Sequence, residues 1–330
     1  MNSIIEYEVL KIKKVVSAPG KVLWIGSYSV VFGGISHVIA INKRVRAECS
    51  DSEENIFETS YGIFKGKGNE LIESVITQFE KLGIKLPKLH VKLFNDPEFL
   101  INGKKTGLGS SSAATVALTA CIYTLLYNEL DLDRIHEIAQ KANYIRQKGI
   151  GSGFDIAAAV YGSIIYRRFN DINKVDAKIE KFEIGKLDMA LAFIGESFNT
   201  VNSVSKFVEK SSIPLFSKIM KYIDEENEFA IRLLKKGRIE DAIEHLRLAR
   251  NMLNNLAEKI VGVKIENEIT KALEKIAEKE GALFAISPGA GGESVFAIGY
   301  NLENVIEEWS KIKNVSVIRL KEDEGLRLET

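Results

Sequence analysis

Lys105-Thr106-Gly107-Leu108-Gly109-Ser110-Ser111-Ser112-Ala113-Ala114 is the stretch that decides the fold. Glycines free the backbone to bend and let a ligand approach its N–H groups closely. The three serines add hydroxyl donors and candidate metal ligands. An uncharged helical run, 113–127, follows at once. A glycine-rich loop entering a helix N-terminus makes an anion site, because unpaired N–H groups and the helix dipole both favour negative charge. Lys105 adds positive charge beside it. The spacing is not that of a Walker A loop, so any phosphate is held by another design. Taken alone, the stretch also reads as a surface loop ahead of a core helix.

Two further glycine-bearing segments change that balance. They are Ser17-Ala18-Pro19-Gly20-Lys21-Val22-Leu23-Trp24-Ile25-Gly26-Ser27-Tyr28 and Ser287-Pro288-Gly289-Ala290-Gly291-Gly292-Glu293. In order and spacing the three segments resemble the motifs of the galactokinase, homoserine kinase, mevalonate kinase and phosphomevalonate kinase superfamily. The resemblance runs from about Val15 to Glu329. Lys-Thr before Gly107, the run Gly149-Ile150-Gly151-Ser152-Gly153-Phe154-Asp155, Ala159-Val160-Tyr161-Gly162 and the late Glu324-Gly325-Leu326-Arg327-Leu328-Glu329 are most similar to its phosphomevalonate kinase members. The resemblance implies a two-domain α+β fold, a left-handed crossover in the first domain and an active site in the cleft between domains. It implies an ATP-dependent kinase acting on mevalonate 5-phosphate, with ATP and Mg2+ as cofactors. The alternatives are mevalonate kinase or another small-molecule kinase of this fold, a decarboxylase relative, and a non-catalytic metabolite sensor. Lys21 and Asp155 together argue against the sensor.

Bulk properties bound the rest. A chain of 330 residues accommodates two domains. Lys plus Arg is 45 and Asp plus Glu is 45, so no global field draws it to nucleic acid or an anionic membrane. Basic clusters such as Lys11, Lys13 and Lys14 or Lys235, Lys236 and Arg238 read as solvated faces. Cys49 and Cys121 are far apart in sequence, and Cys121 sits in an apolar helix as a small hydrophobe. No disulfide is expected, which suits a cytoplasmic protein. Glu6, Glu8 and Lys11 interrupt the N-terminal hydrophobic residues, so no signal peptide is expected. The uncharged run 107–128 is long enough to span a bilayer, but its serines and threonines favour a buried helix. The expected assembly is a monomer or a homodimer.

Periodicity predicts a half-exposed strand over 37–47, an amphipathic helix over 69–82, a strand over 89–94 and a helix over 133–147. A short helix over 156–161 and a strand over 162–169 follow. The polar run Asn170-Asp171-Ile172-Asn173 marks a boundary between a nucleotide-binding domain, 1–172, and a substrate-side domain, 173–330. The second part is mostly helical. Ala242, Leu246, Ala249, Leu253, Leu256 and Ile260 form one apolar stripe, and Ile265, Ile269, Leu273 and Ile276 another that ends near Gly281. Strands over 283–286 and 294–298 flank the third glycine segment, and 315–320 is a last strand.

Phosphoryl transfer needs positioning, charge neutralisation and guidance of any proton on the attacking oxygen. Asp155 falls on the superfamily's catalytic aspartate, although a helix cap explains an aspartate there equally well from local sequence. Lys21 falls where the first motif places a lysine near substrate and aspartate; an exposed turn lysine is the plainer reading. Lys105, Gly107, Gly109, Ser110, Ser111, Ser112 and Ala113 are the expected ATP and phosphate contacts. Ser111 is the expected magnesium ligand, with Ser110 and Ser112 as register alternatives. Mevalonate kinases carry a metal-binding glutamate shortly before the catalytic aspartate; here that region reads Asn143-Tyr144-Ile145-Arg146-Gln147-Lys148. Tyr28, Arg146, Lys148, Ser152, Ser203, Gly289, Ala290 and Gly291 are the expected substrate contacts. Arg146 and Lys148 read equally as the cationic last turn of a helix.

Overall fold

A computed structural model describes residues 13–195 and 200–329. The N-terminal reading on Glu6, Glu8 and Lys11, and the part of the 199–203 segment at Asn199, lie outside the described residues. The first part of the chain runs β1 (Lys13–Ile25), β2 (Ser36–Asp51), β3 (Ile56–Thr59), β4 (Gly62–Lys65), α1 (Glu70–Lys81), β5 (Leu89–Asn95), β6 (Leu100–Ile101), β7 (Lys104–Lys105), α2 (Ser110–Tyr127), α3 (Leu132–Arg146), α4 (Phe154–Tyr161), β8 (Ile164–Arg167) and β9 (Lys178–Lys181). There follow β10 (Asp188–Phe193), α5 (Thr200–Lys210), α6 (Pro214–Leu234), α7 (Ile239–Leu256), α8 (Glu268–Lys279), β11 (Phe284–Ile286), β12 (Ser294–Gly299), α9 (Glu303–Ser310), β13 (Ser316–Leu320) and β14 (Arg327–Leu328). Among the described residues the strands form an eight-stranded sheet built on β14-β1-β2-β5-β3-β4, a four-stranded sheet β11-β12-β10-β13 and a β6–β7 hairpin.

The fold class is α+β, as expected. Helix α1 starts where Asn69 accepts the Ile72 N–H and turns Ile72, Val75 and Phe79 inward. Helix α2 packs on β1 and β2 and is buried on nearly every side, so its sequence has no polar face. It is the described helix long and apolar enough to cross a membrane, and most of it lies inside the fold.

Three expectations need correction. Lys21 is not on a turn: Ser17–Ile25 is strand, and Pro19-Gly20 marks a bulge in the β1–β2 ladder. The polar run at 170–173 is the loop of a β8–β9 hairpin, where Asp176 accepts the N–H groups of Asn170 and Asp171. The first sheet therefore continues past 172, and β14 returns to it beside β1. Cys49 and Cys121 are joined, with Cα atoms 5.8 Å apart, because β2 and α2 pack face to face across 72 residues of sequence. Sequence separation says nothing about that packing.

Candidate active site

Two cavities meet around the serine loop. The larger, about 520 Å³, is walled by Lys21, Tyr28, Gly107, Arg146, Ser152, Asp155, Gly289, Ala290 and Glu293 among others. The smaller, about 200 Å³, is walled by Thr59, Ser60, Tyr61, Asn69, Glu70, Asn95, Lys105, Ser110, Ser111 and Arg146.

Helix α2 begins at Ser110 with no side-chain cap and no acid in its first turn. Its first N–H groups are thus left for an anion. Gly109 precedes it at φ +86°, a left-handed conformation that glycine adopts freely. A Cβ there would come within 3.0 Å of the Lys21 Cγ, so the glycine also admits the lysine.

Lys21 is anchored through its N–H to the Leu108 carbonyl at 2.8 Å, and its Nζ donates to the Gly107 carbonyl at 3.0 Å. Its ammonium lies 5.7 Å from the centre of the Phe154 ring. Burial lowers its pKa from the ordinary lysine value, while the charges of Asp155 and Glu293 pull it back up. Two carboxylates, one from each side of the cleft, thus favour the ammonium form.

Asp155 is the second residue of α4, behind a left-handed Gly153 that supplies the N-cap position. It is therefore not the cap residue, although its Oδ1 accepts the Ile156 N–H at 3.1 Å. Its Oδ2 accepts a short hydrogen bond from the Ser112 hydroxyl. Of the three serines, Ser112 is the one coupled to Asp155, while Ser110 and Ser111 wall the smaller cavity with Lys105.

The far wall of the larger cavity is built from both halves of the chain. Tyr28 donates to the Ala290 carbonyl at 2.8 Å and stacks on Phe207 with ring centres 4.0 Å apart. Burial pushes its pKa up to about 12, opposed by a hydrogen bond with Ser203 and the charge of Arg250. Gly289 donates to the Leu23 carbonyl at 3.0 Å, which fastens the third glycine segment to β1. Gly291 lies beyond it, at φ +87°, packed on Ile265. Ser152 is buried, and its carbonyl accepts the Tyr166 hydroxyl at 2.7 Å. Arg146 reaches both cavities, whereas Lys148 is exposed and walls neither. Ala113 is buried and donates to the Gly109 carbonyl, so it contributes backbone to the helix start.

Sequence reading does not single out Glu293, which closes the third glycine segment without a local signal of its own. It missed the β3–β4 hairpin, whose four-residue strands carry too little pattern, and with it Thr59, Ser60 and Tyr61. It also missed a buried support behind the third segment. There Arg250 pairs with Glu266 and donates to the Ser287 carbonyl, while Glu274 accepts the Ser287 N–H at 2.8 Å.

This fold and cleft define a small-molecule kinase of the GHMP class, and residues 70–163 match the GHMP kinases N terminal domain. The chain is 58% identical over 320 residues to a phosphomevalonate kinase of Saccharolobus solfataricus, covering 96% of this chain and 99% of the relative. A mevalonate kinase of Pyrococcus furiosus is 26% identical over 350 residues, covering 96% and 98%. The solved Streptococcus pneumoniae phosphomevalonate kinase in complex with phosphomevalonate and AMPPNP superposes with a TM-score of 0.80 at 18% identity, covering 94% of this chain and 99% of that one. The chain belongs to the phosphomevalonate kinase family of the GHMP kinases.

Proposed function

We propose that this protein transfers the γ-phosphoryl group of ATP to mevalonate 5-phosphate, giving mevalonate 5-diphosphate and ADP. The observation that carries the reading is 58% identity to a phosphomevalonate kinase along nearly the whole chain. The two adjoining cavities are consistent with it. ATP lies on the smaller one, with its phosphates on Lys105, Ser110, Ser111 and the α2 N-terminus. The acceptor lies in the larger one, against Tyr28, Ser152 and Ala290, with Ser203 hydrogen-bonded to Tyr28. The nucleotide is thus held by the first half of the chain and the acceptor by both. A cytoplasmic location completes the reading.

The acceptor is itself a phosphate. Its second ionisation lies near pH 6, so at neutral pH the attacking oxygen is mostly unprotonated. That oxygen bonds to the γ-phosphorus as the bridging bond to the β-phosphate breaks and its electron pair stays on ADP. Little proton removal is needed. Asp155 then serves chiefly to orient Ser112 and, with Glu293, to keep Lys21 charged. Lys21 neutralises charge on the moving phosphoryl group.

The donors present fit a magnesium ion that arrives with the nucleotide. Among the described residues no three acidic, His or Cys side chains cluster to hold a metal by themselves. Ser111 would supply a hydroxyl oxygen and phosphate oxygens most of the rest. Bound there, magnesium offsets charge on the β- and γ-phosphates.

A coupled ADP-release screen with mevalonate, mevalonate 5-phosphate, homoserine and galactose tests the reading. Turnover should require mevalonate 5-phosphate. Turnover with an unphosphorylated substrate alone would contradict it.

A further inference from the structure

Arg146 stands where the two cavities share a wall. It lines the larger one with Lys21 and Asp155, and the smaller one with Lys105, Ser110 and Ser111. It closes α3, and one Nη donates to the Asn143 Oδ1 at 2.7 Å, which fixes the guanidinium against its own helix. Its Nε is buried and has no hydrogen-bond partner. No carboxylate lies within ion-pair distance of it among the described residues. A guanidinium carries five donors in a fixed fork, and a donor atom buried without a partner, as this Nε is, has an uncompensated cost. Such a group is accounted for when a ligand completes it.

Because it lines both cavities, Arg146 stands between the place proposed for ATP and the place proposed for the acceptor. We propose that Arg146 contacts the phosphoryl group in flight, bridging the γ-phosphate of ATP and the attacking phosphate of the acceptor. The inference rests on the function proposed above. Both reactants are phosphates, each with close to two negative charges near neutral pH. They must come within about 3–3.5 Å to react. A cation fixed at the shared wall lowers that repulsion most at the transition state, when the γ-phosphorus is between its two oxygens. The acceptor oxygen–phosphorus bond forms and the bridging bond breaks as before; Arg146 supplies charge and hydrogen bonds and gives up no proton.

The test uses Arg146→Ala and Arg146→Lys in the full chain. Steady-state rates with ATP and mevalonate 5-phosphate are combined with calorimetric binding of ADP alone and of ADP with aluminium fluoride and magnesium, a mimic of the phosphoryl in flight. For Arg146→Ala, kcat should fall about a thousandfold, in the range known for arginines that stabilise transferring phosphoryl groups. Both KM values should move less than about threefold. Affinity for the fluoride complex should fall while that for ADP is unchanged, and added guanidinium should restore part of the rate. A rise in the KM for mevalonate 5-phosphate with kcat intact would overturn the inference in favour of a grip on the acceptor. A rise in the KM for ATP alone would overturn it in favour of nucleotide binding, and unchanged kinetics would leave Arg146 no role. If the alanine variant melts early, the lysine variant carries the same comparison. Wild-type inactivity toward mevalonate 5-phosphate would instead defeat the proposed function itself.

Discussion

Arg44, buried, and Lys21, half-buried, are cations on neighbouring strands of one sheet, yet their surroundings differ in kind. Arg44 gives all five of its donors to the protein. Nε donates to the Ser17 hydroxyl at 2.7 Å, one Nη to the Asp323 Oδ2 at 2.8 Å and the Glu324 carbonyl at 3.1 Å, and the other to the carbonyls of Ser17 at 2.9 Å and Gly325 at 2.7 Å. Those bonds clasp the C-terminal segment over β1 and β2. Lys21 has three donors on its ammonium, one of which goes to the Gly107 carbonyl. Its remaining capacity faces a cleft with carboxylates on two sides. A buried charge that the fold fully satisfies is a structural device. One that the fold leaves partly satisfied, at the wall of a cavity, is available to a ligand.

That contrast separates stability from turnover. Arg44→Met leaves Asp323 and three carbonyls without their donor, so it should cost about 3 kcal/mol of stability, read as a lower melting temperature. Its kcat at a temperature where it stays folded should remain within about twofold of wild type. Asp155→Asn should do the reverse. Its turnover should fall by about a hundredfold or more, as when a positioned electrostatic group is lost. Its melting temperature should stay close to that of wild type, because Asp155 is not the cap of α4.

Ser111→Ala is expected to act more narrowly. The magnesium concentration needed for half-maximal rate should rise about tenfold, the order of one lost hydrogen bond or ligand oxygen, with the KM for mevalonate 5-phosphate unmoved. An unchanged magnesium dependence would shift the assignment to Ser110.

The smallest effect concerns pH. Burial places the Lys21 pKa below the ordinary 10.5, so rate should decline on the alkaline side before free lysine titrates. The sign for stability is opposite. Between the lowered native value and 10.5 the unfolded chain binds more protons than the native one, so the lysine's own contribution favours the fold increasingly as pH rises. Glu293→Gln removes a charge that raises the Lys21 pKa, so the alkaline limb of the rate profile should move to lower pH. A limb that stays in place would show that Lys21 does not set it.

The sequence showed the arrangement of the cleft better than the clasp. Ile72, Val75 and Phe79 on α1, and Leu246, Ala249 and Leu253 on α7, announce themselves by helical spacing. Gly107 to Ser112 shows by composition a glycine-serine loop entering a helix, which is where the two cavities lie. Arg44 lies in a strand whose alternation suggests a half-exposed face; the C-terminal segment, far away in sequence, covers it. Cys49 and Cys121 escape for the same reason. The direction of a side chain at a helix end is equally hidden, which is why Arg146 and Lys148 read alike until Lys148 is seen at φ +52° beyond the last turn, turned to solvent. Glu293 carries no local signal, since its role comes from facing Gly107 across the cleft.

The most direct measurement reads melting temperature and kcat with mevalonate 5-phosphate on Arg44→Met and Asp155→Asn in parallel. The account predicts a crossed result: the arginine variant melts early and works, and the aspartate variant melts normally and does not. An Asp155→Asn protein that is folded and nearly fully active, or an Arg44→Met protein that is stable but inactive, would contradict it.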